Sequence, residues 1–229
     1  MRRLFACLGV LALSAAHAEE HQAIVERAFE ALDNGFQESW AYTETSTKED
    51  VVQVANYDPR LPENERWMLM TVDDRPPTDE ETESFLEEKL QRMADRSDND
   101  DDEHVGATIQ PDTLSLVEET DDYWLFAFVP ADDDEEEEFM QHVDGTLKVV
   151  KDGHYVEYLS LKNEAPIKPA FGVKINTFNT HLTFGPAAEN GPIVPKSVDV
   201  HVQGRAFFAV KFDETEMVRF GNFEFVGEH

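Results

Sequence analysis

The strongest constraint in this sequence is a long succession of period-two segments broken by short turn signals. Thr113–Glu119 and Tyr123–Val129 flank Thr120-Asp121-Asp122, and Thr146–Lys151 and His154–Leu161 flank Asp152-Gly153. Asp-Gly between alternating segments is a strong hairpin signal, because glycine accepts the positive φ of a type I′ turn. Phe171–Phe178, His181–Phe184, Ser197–Gln203, Ala206–Phe212 and Met217–Val226 continue the pattern, and Trp40–Ser46, Val51–Tyr57 and Arg66–Val72 precede it. About eleven strands joined by short connections predict an antiparallel meander. A sheet that wide curls or closes, because each strand is twisted relative to its neighbour.

Two helical patterns interrupt the strands. Ile24, Val25, Ala28, Phe29 and Leu32 recur at helical spacing within residues 20–36, with Gly35 as a stop. Thr78 and Glu81 make a capping-box pattern after Pro76-Pro77, and Phe85, Leu86, Leu90 and Met93 supply an apolar stripe. That pattern predicts a second helix ending near Arg96. The fold class expected is α+β: a strongly curved antiparallel sheet, an incomplete β-barrel, with the helices across its concave or open side. Tyr123–Val129 is apolar on both faces, and Ala206–Phe212 reads the same way. Two-sided apolarity predicts that one face packs on helices while the other lines a second layer or a cleft.

Residues 1–18 read as a secretory signal, with Arg2-Arg3, an apolar run from Leu4 to Leu13, and Ala16-His17-Ala18 as the cleavage site. The run is too short to span a bilayer, and no later segment approaches the ~18 apolar residues of a transmembrane helix. Cleavage after Ala18 predicts an exported chain forming one domain over 19–229, periplasmic or, alternatively, secreted. Cys7 is the one cysteine and lies in the leader, so the mature chain needs no disulfide.

The 229 residues include 49 acidic and 19 basic side chains, a net charge of −30, which becomes −32 without Arg2 and Arg3. The charge is uneven: residues 19–144 hold 39 acidic and 8 basic side chains, and residues 145–229 hold 10 and 9. This balance argues against a nucleic-acid partner. It argues equally against an anionic membrane surface.

The order of parts carries a resemblance. An amphipathic helix enters directly into Trp40-Ala41-Tyr42-Thr43, and a strand-to-helix joint runs from Trp67-Met68-Leu69-Met70-Thr71-Val72 through Asp73-Asp74-Arg75 to Pro76-Pro77-Thr78. The chain closes with Gly191-Pro192-Ile193-Val194-Pro195-Lys196-Ser197-Val198, Gly204, Phe207 to Phe212, and Phe220-Gly221-Asn222-Phe223. In this order the chain resembles the LolA/LolB-like superfamily of periplasmic lipoprotein carriers and their relatives. The resemblance implies an incomplete β-barrel with helices over its open side, an apolar cavity for acyl chains, and no catalysis. The acidic stretches at 98–103 and 132–138 depart from the carriers.

Candidates for the inner side of the curved sheet are Trp40, Tyr42, Trp67, Leu69, Trp124, Phe126, Phe128, Phe171, Val173 and Ile175. An acyl chain would be held there by area burial, at roughly 0.8 kcal/mol per methylene. The expected function is non-catalytic binding of a lipid, an acyl chain or a lipidated protein, without a cofactor. The rival is an acidic interaction module, in which 98–103 and 132–138 dock a basic protein or cations and binding falls steeply with salt. Asp98, Asp100 and Asp102 imitate the first ligand positions of a calcium loop. However, Glu103 stands where glycine is required and Ile109 where the closing glutamate is required. Asp199 and His201 share a strand face without an H-x-H or H-E-x-x-H pattern. The sequence has no nucleophile elbow, no P-loop and no dinucleotide fingerprint.

Overall fold

The computed structural model describes residues 19–32, 36–98, 109–131, 140–189, 191–207 and 210–227. The leader at 1–18, Asp100, Asp102 and the acidic run 132–138 lie outside the described residues. Residues 19–30 form helix α1. The one-turn helix α2 (Phe36–Ser39) leads into β1 (Trp40–Lys48), β2 (Val51–Tyr57) and β3 (Trp67–Val72), and α3 spans Asp79–Asp98. Seven strands follow: β4 (Ser115–Glu119), β5 (Tyr123–Phe128), β6 (Val143–Val150), β7 (Tyr155–Asn163), β8 (Val173–Pro186), β9 (Ile193–Ala206) and β10 (Val210–Phe225). All ten form one antiparallel sheet in the order β3-β2-β1-β10-β9-β8-β7-β6-β5-β4, and the sheet is not closed.

The count is ten strands rather than eleven, and the chain is mostly sheet rather than an even mixture of helix and strand. Phe171–Phe178 and His181–Phe184 are not separate strands, because Asn179 and Thr180 stay in register with His201 and Val200 and carry β8 straight through. Ala206–Phe212 is not one strand: Ala206 ends β9 and pairs with both Val173 and Val210, Phe207 takes φ +48°, and Val210 opens β10. The Asp152-Gly153 hairpin also differs, since 151–154 form a four-residue turn with positive φ at Gly153 and His154. Two-residue turns with positive φ at both positions occur instead on acidic pairs, Glu49-Asp50 and Asp73-Asp74.

Cross-strand register traces a single row from edge to edge: Leu116, Phe126, Leu147, Leu159, Leu182, Val198, Val218, Ser46, Gln53 and Val72. Paired residues share a face, so this row defines one inner face across the whole sheet. Helix α1 buries Val25 and Ala28 against Phe126, Leu147, Val149, Val156 and Leu159. Helix α3 buries Phe85 against Ala55, Leu69 and Val72. Both helices therefore cover the same face, one over β5–β7 and the other over β2–β3. Gly145 belongs to the inner face too, and the Phe128 ring fills the space above it: a Cβ there would sit 2.3 Å from the ring. The opposite face is polar over the long strands, with ion pairs Asp199–Arg219 at 2.7 Å and His201–Asp213 at 2.9 Å.

Strands β3 and β4 are consecutive in the chain yet lie at opposite edges. Helix α3 lies within the segment that connects the two edges. Its first turn is fixed by the predicted capping box. The Glu81 amide donates to the Thr78 hydroxyl at 3.2 Å, and the Thr78 amide donates to the Glu81 carboxylate at 2.8 Å. From there, Phe85 contacts the β2–β3 core and Lys89 reaches β1, so the helix advances across the strands toward the far edge.

Candidate functional site: a cavity beneath helix α3

A helix covers only about 10–12 Å of width, so two helices leave much of the inner face without a helical roof. The central strands fall in this gap. A cavity of about 350 Å³ lies where α3 reaches over this gap, between the helix and the inner face of β9, β10, β1 and β2. Its floor is Val198 and Val200 of β9, Val218 and Phe220 of β10, and Ser46 and Gln53. Tyr42, Tyr57 and Trp67 make an aromatic wall, with Tyr42 stacked on Tyr57 at 5.0 Å and edge-on to Trp67 at 5.8 Å. Phe85, Glu88 and Lys89 form the roof. These three are spaced i, i+3, i+4, which puts them on one face of the helix.

An ion pair ties the roof down. Lys89 Nζ donates to Glu44 Oε1 at 2.6 Å and to Oε2 at 2.9 Å, and the two side chains are 14% and 9% exposed. The same ammonium lies 4.2 Å from the centre of the Trp67 ring, a favourable approach of a cation to an aromatic face. Glu44 stands on β1 between Phe220 and Ala55, so its carboxylate projects from a rigid, otherwise apolar row. Burial pushes the Tyr57 phenol above its ordinary range, and nearby Arg66 partly offsets this. Tyr57 therefore presents a neutral hydroxyl. The lining as a whole contains three carboxylates, Glu44, Glu88 and Glu216, and one ammonium.

Of the residues read from sequence as inner-face candidates, Tyr42 and Trp67 line this cavity. Trp40 is buried beside it with Phe36, Tyr42, Tyr57 and Val194, and Leu69 is sealed under α3. Phe126 and Phe128 are buried in the core beneath α1, with Trp124 and Ile175 packed against that core. Phe171 and Val173 lie elsewhere, at the end of the sheet, where Phe171 is 93% exposed. Asp98 ends α3 rather than opening a loop. Among the described residues, no group of three or more His, Cys, Asp or Glu side chains is disposed to hold a metal ion.

The sequence reading missed Glu44, Lys89 and the valines. Val198 and Val200 were legible as alternate residues of one strand. Lys89 was hidden because the apolar stripe pointed to Leu90, which is exposed, while the helix turns its charged neighbour inward to meet Glu44. No protein-family model, curated protein or solved structure matches this chain. No helix among the described residues is long and apolar enough to cross a membrane.

Proposed function

We propose that this chain is an exported, non-catalytic carrier of acyl chains, built as a LolA-like curved half-barrel with its helices across the concave side. The observation that carries the reading is the cavity under α3. Its 350 Å³ lies in the range of small-ligand sites, and valine, phenylalanine, tyrosine and tryptophan side chains give it apolar walls beside seven polar or charged residues. The strand order supports the curvature, since a chain that leaves one edge and re-enters at the other does so most economically when the edges approach one another. Each methylene withdrawn from water into such a wall contributes roughly 0.8 kcal/mol. A chain held through an ester or amide, as in a neutral lipid or a lipidated protein, brings no carboxylate to a lining that already holds Glu44, Glu88 and Glu216.

The test is titration with a fluorescent twelve-carbon acyl ester, with native mass spectrometry of the purified protein alongside. Saturable binding is expected, together with a mass increment from a co-purified lipid. Val200→Trp should fill the cavity and abolish binding, and Val198→Phe should weaken it. Urea midpoints of both variants report whether the fold survives. Absence of both saturation and a mass increment refutes the proposal, as does undiminished binding by a folded Val200→Trp variant.

A further inference from the structure

Away from the cavity, one end of the sheet reverses the character of the chain. Residues 165–174 and 204–212 contain four basic residues and no acidic ones, in a protein of net charge −30. The β9–β10 hairpin and the start of β8 bring these residues together. Lys174 pairs with Arg205, and Arg205 pairs with Lys211, so three cations stand side by side in one cross-strand row. Directly opposed like charges destabilise a sheet, and among the described residues no ion pair involves these three or Lys168. The nearest strand carboxylate, Asp213, is held by His201 at 2.9 Å and Gln203 at 2.7 Å.

The same end carries the two most exposed aromatic side chains among the described residues, Phe171 and Phe207. Phe171 is 93% exposed, Phe207 76% and Val210 61%. Gly172, at φ +82°, brings the first loop against the hairpin: a Cβ on it would lie 3.8 Å from the Phe207 Cα. Lys168, Phe171, Lys174 and Arg205 border a shallow groove of about 660 Å³.

We propose that this end of the sheet docks on an anionic lipid bilayer, with Phe171, Phe207 and Val210 entering the interface and Lys168, Lys174, Arg205 and Lys211 meeting lipid phosphates. Apolar side chains flanked by Lys and Arg are the pattern of an interfacial anchor. A bilayer needs no matching surface. The overall negative charge does not forbid this, because exposed charges more than ~10 Å from the membrane are largely screened at 0.1 M salt. The basic end of the sheet thus suits an anionic surface although the chain as a whole is acidic. The inference is independent of the cavity and its ligand.

The test is flotation of the full chain with phosphatidylcholine vesicles and with vesicles containing about one-third phosphatidylglycerol. The chain should float with the anionic vesicles, lose binding at high salt, and bind the neutral vesicles much less. The neutral vesicles also report any attachment through residues 1–18. Arg205→Glu should weaken binding about 25-fold, from roughly fivefold per charge near an anionic surface. It should also raise the urea midpoint, because the row then alternates in sign; a residue that was merely structural would lower it. Phe171→Ser should weaken binding, and its urea midpoint reports any effect on the fold. Equal binding to both vesicle types, or binding untouched by both substitutions, overturns the proposal. So does vesicle-free dimerisation abolished by Arg205→Glu, which would make a second, acidic copy the partner.

Discussion

Replacing Lys89 by methionine should destabilise the fold by about 3 kcal/mol at neutral pH. The charges of Lys89 and Glu44 lie about 3 Å apart, which gives roughly 5 kcal/mol of attraction at an effective dielectric constant of 20, largely offset by the cost of desolvating both ions. What the substitution leaves behind sets the loss. Glu44 sits on a strand between Phe220 and Ala55 and cannot withdraw to water. Removing one partner of a buried pair costs about 3–5 kcal/mol, and access of water through the cavity puts this case at the low end. Loss of the contact with Trp67 adds up to about 1 kcal/mol within that figure. The reverse substitution is milder: Glu44→Gln should cost only about 1 kcal/mol, because the lysine stem can carry its charge outward. With both substitutions the neutral amide meets a thioether, and the total should be about 1.5 kcal/mol, a coupling near 2.5 kcal/mol. Urea unfolding followed by tryptophan fluorescence measures all three. At a slope of about 2 kcal/mol per molar, Lys89→Met should lower the midpoint by about 1.5 M. A shift below about 0.3 M at unchanged slope, with additive single substitutions, would show a solvated pair and refute the account of how the cavity roof is fastened.

Two further outcomes test other parts of the fold. Gly145→Ala should cost about 1–3 kcal/mol, because its Cβ would enter the Phe128 ring; adding Phe128→Leu should recover part of the loss, and a stabilising alanine would contradict the packing. Glu81 is held down to about 2 by the Arg75 side chain first, then by the Thr78 amide. Its folded value lies below the ordinary 4.5, so the α3 cap is fully stabilised above pH 4.5 and that contribution disappears as pH falls through about 2. Carboxyl NMR should find the Glu81 midpoint there, and Arg75→Gln should return it toward 4.5; an unmoved midpoint would reject the Arg75 assignment.

Local chemistry made much of this chain legible. The Thr78–Glu81 cap, the α1 stripe from Ile24 to Leu32, and the β4–β5 hairpin around Thr120-Asp121-Asp122 depend on neighbours within a few residues, and sequence determined them directly. It also determined that the chain would be a broad antiparallel sheet, because period-two segments with short turns have few other solutions. Two kinds of information lay beyond it. Apolarity alone could not separate a buried strand from the end of a hairpin, so Phe171, Phe207 and Val210 sit in segments that read as strand when these side chains are exposed. Charge counted along the chain could not reveal where cations gather. Lys174, Arg205 and Lys211 are up to 37 positions apart and become neighbours only through the register of β8, β9 and β10. The same holds for the cavity. Glu44 and Lys89 are 45 residues apart, and neither is exceptional in a sequence with 49 carboxylates. Their pairing is decided by the path of α3 across the sheet, because only there does a helix face carrying Phe85, Glu88 and Lys89 come down over strands from both ends of the chain.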